Sequence, residues 1–355
     1  MRVLLIGDYS SVHLNIFNEL RRRADFEVEL ASSGDGFKGT GRSISIGNDG
    51  SGFFSKISKA VIPLSRIQSF KGFDIVQFMN PFVFTMNFSV NEILIKSIFK
   101  NNDKVFLLAA GCDSVFEKNI KSVYPNEFHP CPGCLKYEQK AETCKFSRQN
   151  FHKINDYFIK NVKKVIPVSE SYHDVYKQYG INNLAPLLRM PIDFTNILQR
   201  ESYEVNGKIK IMHGINRIGF KGSDIILKAL NKFSNNDRIE FKIVEKLPLK
   251  EYLGLLRDVD VVIDQVYGYG LGMNSLYSMA NGAISFTNFI NQFYPDSPAI
   301  RITPSISSIC SSIENLLSED KKLIAERKKL SYEYVLKNND VKDIVNKLIH
   351  IWQNS

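Results

Sequence analysis

Short apolar runs alternate with amphipathic stretches through most of this 355-residue chain. Residues 3–7, 27–31, 75–79, 105–109 and 165–168 are brief, apolar and rich in β-branched side chains, as strands buried on both faces of a parallel sheet should be. Between them, 13–23, 91–100 and 150–163 carry apolar positions at helical spacing. Strand and helix in alternation predict a doubly wound α/β sheet. The pattern pauses at Met190-Pro191-Ile192-Asp193, and a polar stretch runs on to Gly207. A second series then covers 209–213, 223–233, 239–244, 249–257, 259–263, 283–286 and 299–302, and a charged helical tail, 317–354, closes the chain. A chain of this length exceeds what one core usually supports. Two Rossmann-like domains facing a central cleft are therefore expected, 1–190 and 191–340, with 341–355 a helix able to cross back to the first.

Composition narrows the classes. Hydrophobic residues make up 44% and charged residues 23%, which excludes a disordered chain. The net charge of +9 is spread along the sequence without a nucleic-acid motif, so no nucleic-acid partner is expected. The apolar start, 3–7, meets Asp8 too soon for a signal peptide, and no later apolar run reaches spanning length. A cytoplasmic protein is the expectation, in which the five cysteines are thiols or metal ligands rather than disulfides. One segment, 51–72, sets Lys56, Lys59, Arg66 and Lys71 among Phe53, Phe54, Ile57, Val61, Ile62, Leu64, Ile67 and Phe70 with no acidic residue. It reads either as a peripheral contact with an anionic membrane or as a surface helix interrupted at Pro63.

The candidate chemistry lies in the second series. After the apolar run 259–263 comes Asp264-Gln265-Val266-Tyr267-Gly268-Tyr269-Gly270-Leu271-Gly272-Met273-Asn274-Ser275, then a helical stretch ending Tyr277-Ser278-Met279-Ala280-Asn281-Gly282. Glycines let backbone amides approach a ligand, and the amides opening a helix near Met273 suit a phosphate or a sugar hydroxyl. An earlier turn, His213-Gly214-Ile215-Asn216-Arg217-Ile218-Gly219-Phe220-Lys221-Gly222, puts two cations four residues apart beside glycines, a pattern able to clamp a polyphosphate.

Together these segments resemble the GT-B fold glycosyltransferases, particularly the retaining family-4 group. Arg217 and Lys221-Gly222 match the Arg and Lys-Gly with which that group holds the donor diphosphate. Its two glutamates, eight apart before a small residue, Met, Ala, any residue and Gly, align with Tyr269 and Tyr277; both are tyrosines here. Gly7-Asp8-Tyr9-Ser10-Ser11-Val12-His13-Leu14 is similar to the amino-terminal loop over donor and acceptor. Ala110-Gly111-Cys112-Asp113 is similar to the His-Gly-Ser-Asp turn, with Ala110 in place of histidine.

The resemblance implies transfer of a sugar from a nucleoside diphosphate sugar to a glycan or lipid-linked oligosaccharide of a bacterial surface polysaccharide, with the anomeric configuration kept. It implies catalytic roles for Arg217, Lys221, His13 and Asp113. The donor would meet Gly7, Glu245, Tyr269, Gly270, Gly272, Met273, Asn274, Ser275 and Tyr277. No cofactor is expected for catalysis, since two cations and backbone amides stabilise the departing diphosphate and no Asp-x-Asp metal motif is present. Cys131-Pro132-Gly133-Cys134 with Cys144 reads as a structural zinc site or as three thiols. Replacement of both glutamates leaves a second reading open, a degenerate GT-B protein that binds a nucleotide sugar or a partner without catalysis.

Overall fold

The structure is a computed structural model that describes residues 1–47, 61–84, 88–197 and 199–355. The chain forms two compact units, one of Met1–Val123, Lys145–Asp193 and Val341–Ser355, the other of Tyr124–Cys144 and Phe194–Asp340. The segment Tyr124–Cys144, which the sequence assigns to the amino-terminal domain, packs with the second unit; we call it the strap. Residues 51–60 of the basic, apolar segment lie outside the described residues.

The first unit holds six parallel strands: β1 (Arg2–Ile6), β2 (Glu27–Ser32), β3 (Ile44–Ser45), β4 (Ile75–Phe78), β5 (Lys104–Ala109) and β6 (Val165–Pro167). Their order is β3-β2-β1-β4-β5-β6, so the topology reverses between β1 and β4. Val3, Leu4, Leu5 and Ile6 are wholly buried, which is why these strands read as unbroken apolar runs. The final helix, Val341–Gln353, belongs to this unit, and its Trp352 donates Nε1–H to Gln77 Oε1 of β4 at 3.0 Å.

The second unit holds β7 (Ile209–Ile215), β8 (Ile239–Glu245), β9 (Val261–Gln265), β10 (Ile284–Thr287) and β11 (Ile300–Arg301), ordered β11-β10-β9-β7-β8 and all parallel. Its core joins Ile211, Val261, Ile263, Ile284 and Phe286 of the sheet to Ile226 and Leu230 on one helix and Ile309 and Ile313 on another. In a doubly wound sheet the strands end at the edge where ligands bind. The turn after β7, the loop after β9 and the helix Met273–Ala280 all lie there.

Candidate functional site

β9 ends on Asp264-Gln265, and the glycine-rich loop leads into the helix Met273–Ala280. Asp264 is buried and acts as the hub: Oδ1 accepts from Lys221 Nζ at 2.7 Å, and Oδ2 accepts from Ser275 Oγ at 2.9 Å. Burial alone would push its carboxyl up; the Lys221 charge and hydrogen bonds from Lys221, Ser275 and Asn274 outweigh that and hold it below its usual value. Three sequence-predicted residues, Lys221, Asn274 and Ser275, thus converge on one carboxylate that sequence reasoning left without a role. Lys221 is committed to this pair, whereas Arg217 is exposed, with its guanidinium carbon 3.9 Å from the Phe220 ring centroid and Nη2 3.5 Å from Cys134 Sγ.

Two of these turns leave no space for a Cβ unless a neighbour shifts. A Cβ on Gly270 would lie 2.4 Å from the Tyr294 hydroxyl, and one on Gly219 would lie 2.1 Å from the Gly133 carbonyl oxygen. The second contact shows how closely the strap lies on the turn after β7. Glu138 of the strap accepts from the amides of Gly219 and Phe220 at 2.9 and 3.4 Å, both on Oε1. Near the other end of the strap, Phe128 O accepts from Gly268 N at 3.3 Å, and Tyr124 stacks on Tyr269 at 5.7 Å between ring centroids. His129 Nδ1 meets the Tyr269 hydroxyl at 2.5 Å, and Arg301 pairs with Glu127 at 3.0 Å.

Tyr269 and Tyr277 are both buried, as is Met273. Glu245, at the end of β8, is exposed and pairs with its neighbour Lys246. Among the described residues no three His, Cys, Asp or Glu side chains gather to hold a metal ion. Gln139 Nε2 contacts both Cys134 Sγ at 3.6 Å and Cys144 Sγ at 3.5 Å, so amide and guanidinium donors face the sulfurs.

In the first unit His13 and Asp113 are buried and hydrogen-bonded to their own unit. His13 is wholly buried; its Nδ1–H donates to Gly7 O at 2.6 Å, leaving Nε2 to accept from Gln77 Nε2 at 3.1 Å. Burial pushes its pKa down to about 4. Asp113 accepts from Phe116 N and from the Tyr176 hydroxyl, each at 2.8 Å, and so opens the helix Ser114–Val123. Gly7 has φ of 81° and no room for a Cβ, which would lie 2.4 Å from Val83 Cγ1.

Asp8 is the residue that the sequence passed over. Its Oδ1 accepts from the amides of His13 at 3.0 Å and Leu14 at 3.4 Å, while its buried Oδ2 finds no hydrogen-bond partner among the described residues. Burial, then the neighbouring Asp35 charge, push it up to about 7.

No protein-family profile matches the sequence, and no curated relative does. Its fold is similar to that of sucrose-phosphate synthase from Thermosynechococcus elongatus, with TM-score 0.67 and 10% identity over 100% of this chain and 98% of that one. It is also similar to Anabaena HepE, solved with UDP and glucose, with TM-score 0.64 and 11% identity over the whole of both chains. TarM from S. aureus, solved as a point mutant with fondaparinux, α-GlcNAc-glycerol and UDP, gives TM-score 0.56 and 13% identity over 82% of this chain and 58% of that one. The fold is therefore GT-B, with two Rossmann-like units.

Proposed function

We propose that the protein is a retaining glycosyltransferase that moves a sugar from a nucleoside diphosphate sugar to a hydroxyl of a glycan or lipid-linked oligosaccharide in bacterial surface-polysaccharide synthesis. The observation that carries this reading is the Asp264 hub, which fixes the turn bearing Arg217 against the glycine-rich loop and the start of the helix Met273–Ala280. Such preorganisation is what stabilising charge on a departing diphosphate demands. Arg217 is the cation open to that charge, the amides near Gly272–Asn274 add to it, and Lys221 holds the turn in place through Asp264. No divalent cation is needed in this role. HepE, whose fold this chain shares, was solved with UDP-glucose, which favours a uridine nucleotide as the first donor to try.

The membrane side of the proposal rests on the basic segment. Within its described part Val61 and Leu64 are exposed, as a peripheral contact with an anionic bilayer requires. Among the described residues no helix is long and apolar enough to cross a membrane.

A thermal-shift screen against nucleoside diphosphates and their sugars, with and without a chelator, tests the donor reading. A selective shift that survives the chelator and falls in Arg217→Ala supports it. No shift with any nucleotide favours the degenerate, partner-binding protein, a reading supported by the engagement of Lys221 with Asp264 and of the Tyr269 hydroxyl with His129.

A further inference from the structure

Glu138 is built into the turn after β7 from a distance of 81 residues. One of its oxygens carries the whole of its attachment, accepting from both Gly219 N and Phe220 N. The other, Oε2, is buried and has no hydrogen-bond partner among the described residues. Withdrawing a carboxylate oxygen from water without replacing its hydrogen bonds is unfavourable, so such an atom calls for a ligand. The attachment also fixes where this oxygen stands: beside the turn that carries Arg217, in a strap whose His129 meets the glycine-rich loop at Tyr269.

We propose that Glu138 is a ligand-binding carboxylate of the donor site, its Oε2 accepting hydrogen bonds from hydroxyl groups of the nucleotide's ribose or of the transferred sugar. An ionised carboxylate offers acceptors and no donor, and paired hydroxyls on adjacent carbons are suited to it. The two tyrosines of the loop and helix, Tyr269 and Tyr277, offer hydroxyls and no carboxylate. Glu138 thus brings to the loop, through the strap, a carboxylate oxygen that Tyr269 and Tyr277 do not provide. This inference rests on the nucleotide-sugar reading above.

Glu138→Gln is the informative variant, because the side-chain oxygen of glutamine can still accept from Gly219 and Phe220 while its amide nitrogen replaces Oε2 with a donor. Titration calorimetry of the full-length wild type, Glu138→Gln and a control on the same strap, Glu142→Gln, would use UDP, UDP-glucose and inorganic pyrophosphate as probes. We expect Glu138→Gln to weaken UDP about tenfold if the ribose is held, or UDP-glucose alone if the sugar is held, with pyrophosphate and the control unchanged. Unchanged binding of both nucleotides overturns the assignment, and so does tighter binding, which would make Glu138 a competitor of the phosphates. Equal losses for all three probes also overturn it, since a merely displaced turn would act that way. If the wild type binds neither nucleotide, the uridine-donor reading itself fails, a result distinct from these.

Discussion

Lys221 and Asp264 form an ion pair of 2.7 Å, and their side chains are only 10% and 2% exposed. An isolated charge at either position would be left in a medium that solvates it poorly, so removing one partner is far more harmful than removing both. Lys221→Met should destabilise the second unit by about 3–5 kcal/mol, and Lys221→Met with Asp264→Leu should recover a large part of that. Denaturant melts of the single and double variants would check it. Equal losses in both would show that the cost does not arise from the carboxylate left unpaired.

The His129–Tyr269 contact joins the strap to the glycine-rich loop across 140 residues. Tyr269→Phe keeps the ring against Tyr124 and removes the hydroxyl, so losing the His129 hydrogen bond should cost about 1 kcal/mol. His129→Ala and the double variant complete a cycle whose coupling should be of similar size. A coupling near zero would reduce the contact to an accident of docking.

Gly219 and Gly133 approach with no space for a methyl group, and what each would meet is backbone, which cannot rotate away. Gly219→Ala should therefore loosen the strap without unfolding the sheet beneath it. Limited proteolysis is expected to cut within 124–144 faster in this variant, while Gly254→Ala, where a Cβ meets nothing within 4 Å, should not change the rate.

Much of the sheet was legible because a buried parallel strand writes itself as an apolar run: 3–7 and 105–109 in the sequence correspond to β1 and β5 within one residue at each end. β3, of two residues, leaves too little pattern to read, whereas β11, equally short, lies within the apolar run 299–302. The site was legible in its local parts and not in its pairings. Arg217 and Lys221 look equivalent in sequence; a carboxylate 43 residues further along withdraws only Lys221 from solvent. His13 and Asp113 sit after strands, and the bonds each makes inside its own unit leave no trace in the sequence. Nothing in 124–144 announces which unit it joins, because its partners lie about 80 to 170 residues downstream.

Asp8 gives the chain a pH dependence of definite sign. Its carboxyl is raised from 3.8 to about 7, so between those values the folded state binds a proton that the unfolded chain has released. Its contribution to stability is fully present below about pH 3.8 and is lost as pH rises through about 7. Asp113, raised to about 6, acts in the same direction, whereas His13 and His213, lowered to about 4, contribute stability above 6.5 that is lost as pH falls through about 4. These four groups oppose one another between about pH 4 and 6, and above 6.5 Asp8 is the one still releasing its proton. Asp8→Asn keeps an oxygen for the amides of His13 and Leu14 but cannot ionise. It should gain on the wild type between pH 5 and 8 by an amount on the order of 3 kcal/mol, from the 1.4 kcal/mol that each pKa unit represents. Denaturant midpoints of the two proteins at both pH values measure that gap directly. A difference that does not grow with pH would mean that Asp8 is ionised in the folded protein throughout, with its second oxygen solvated.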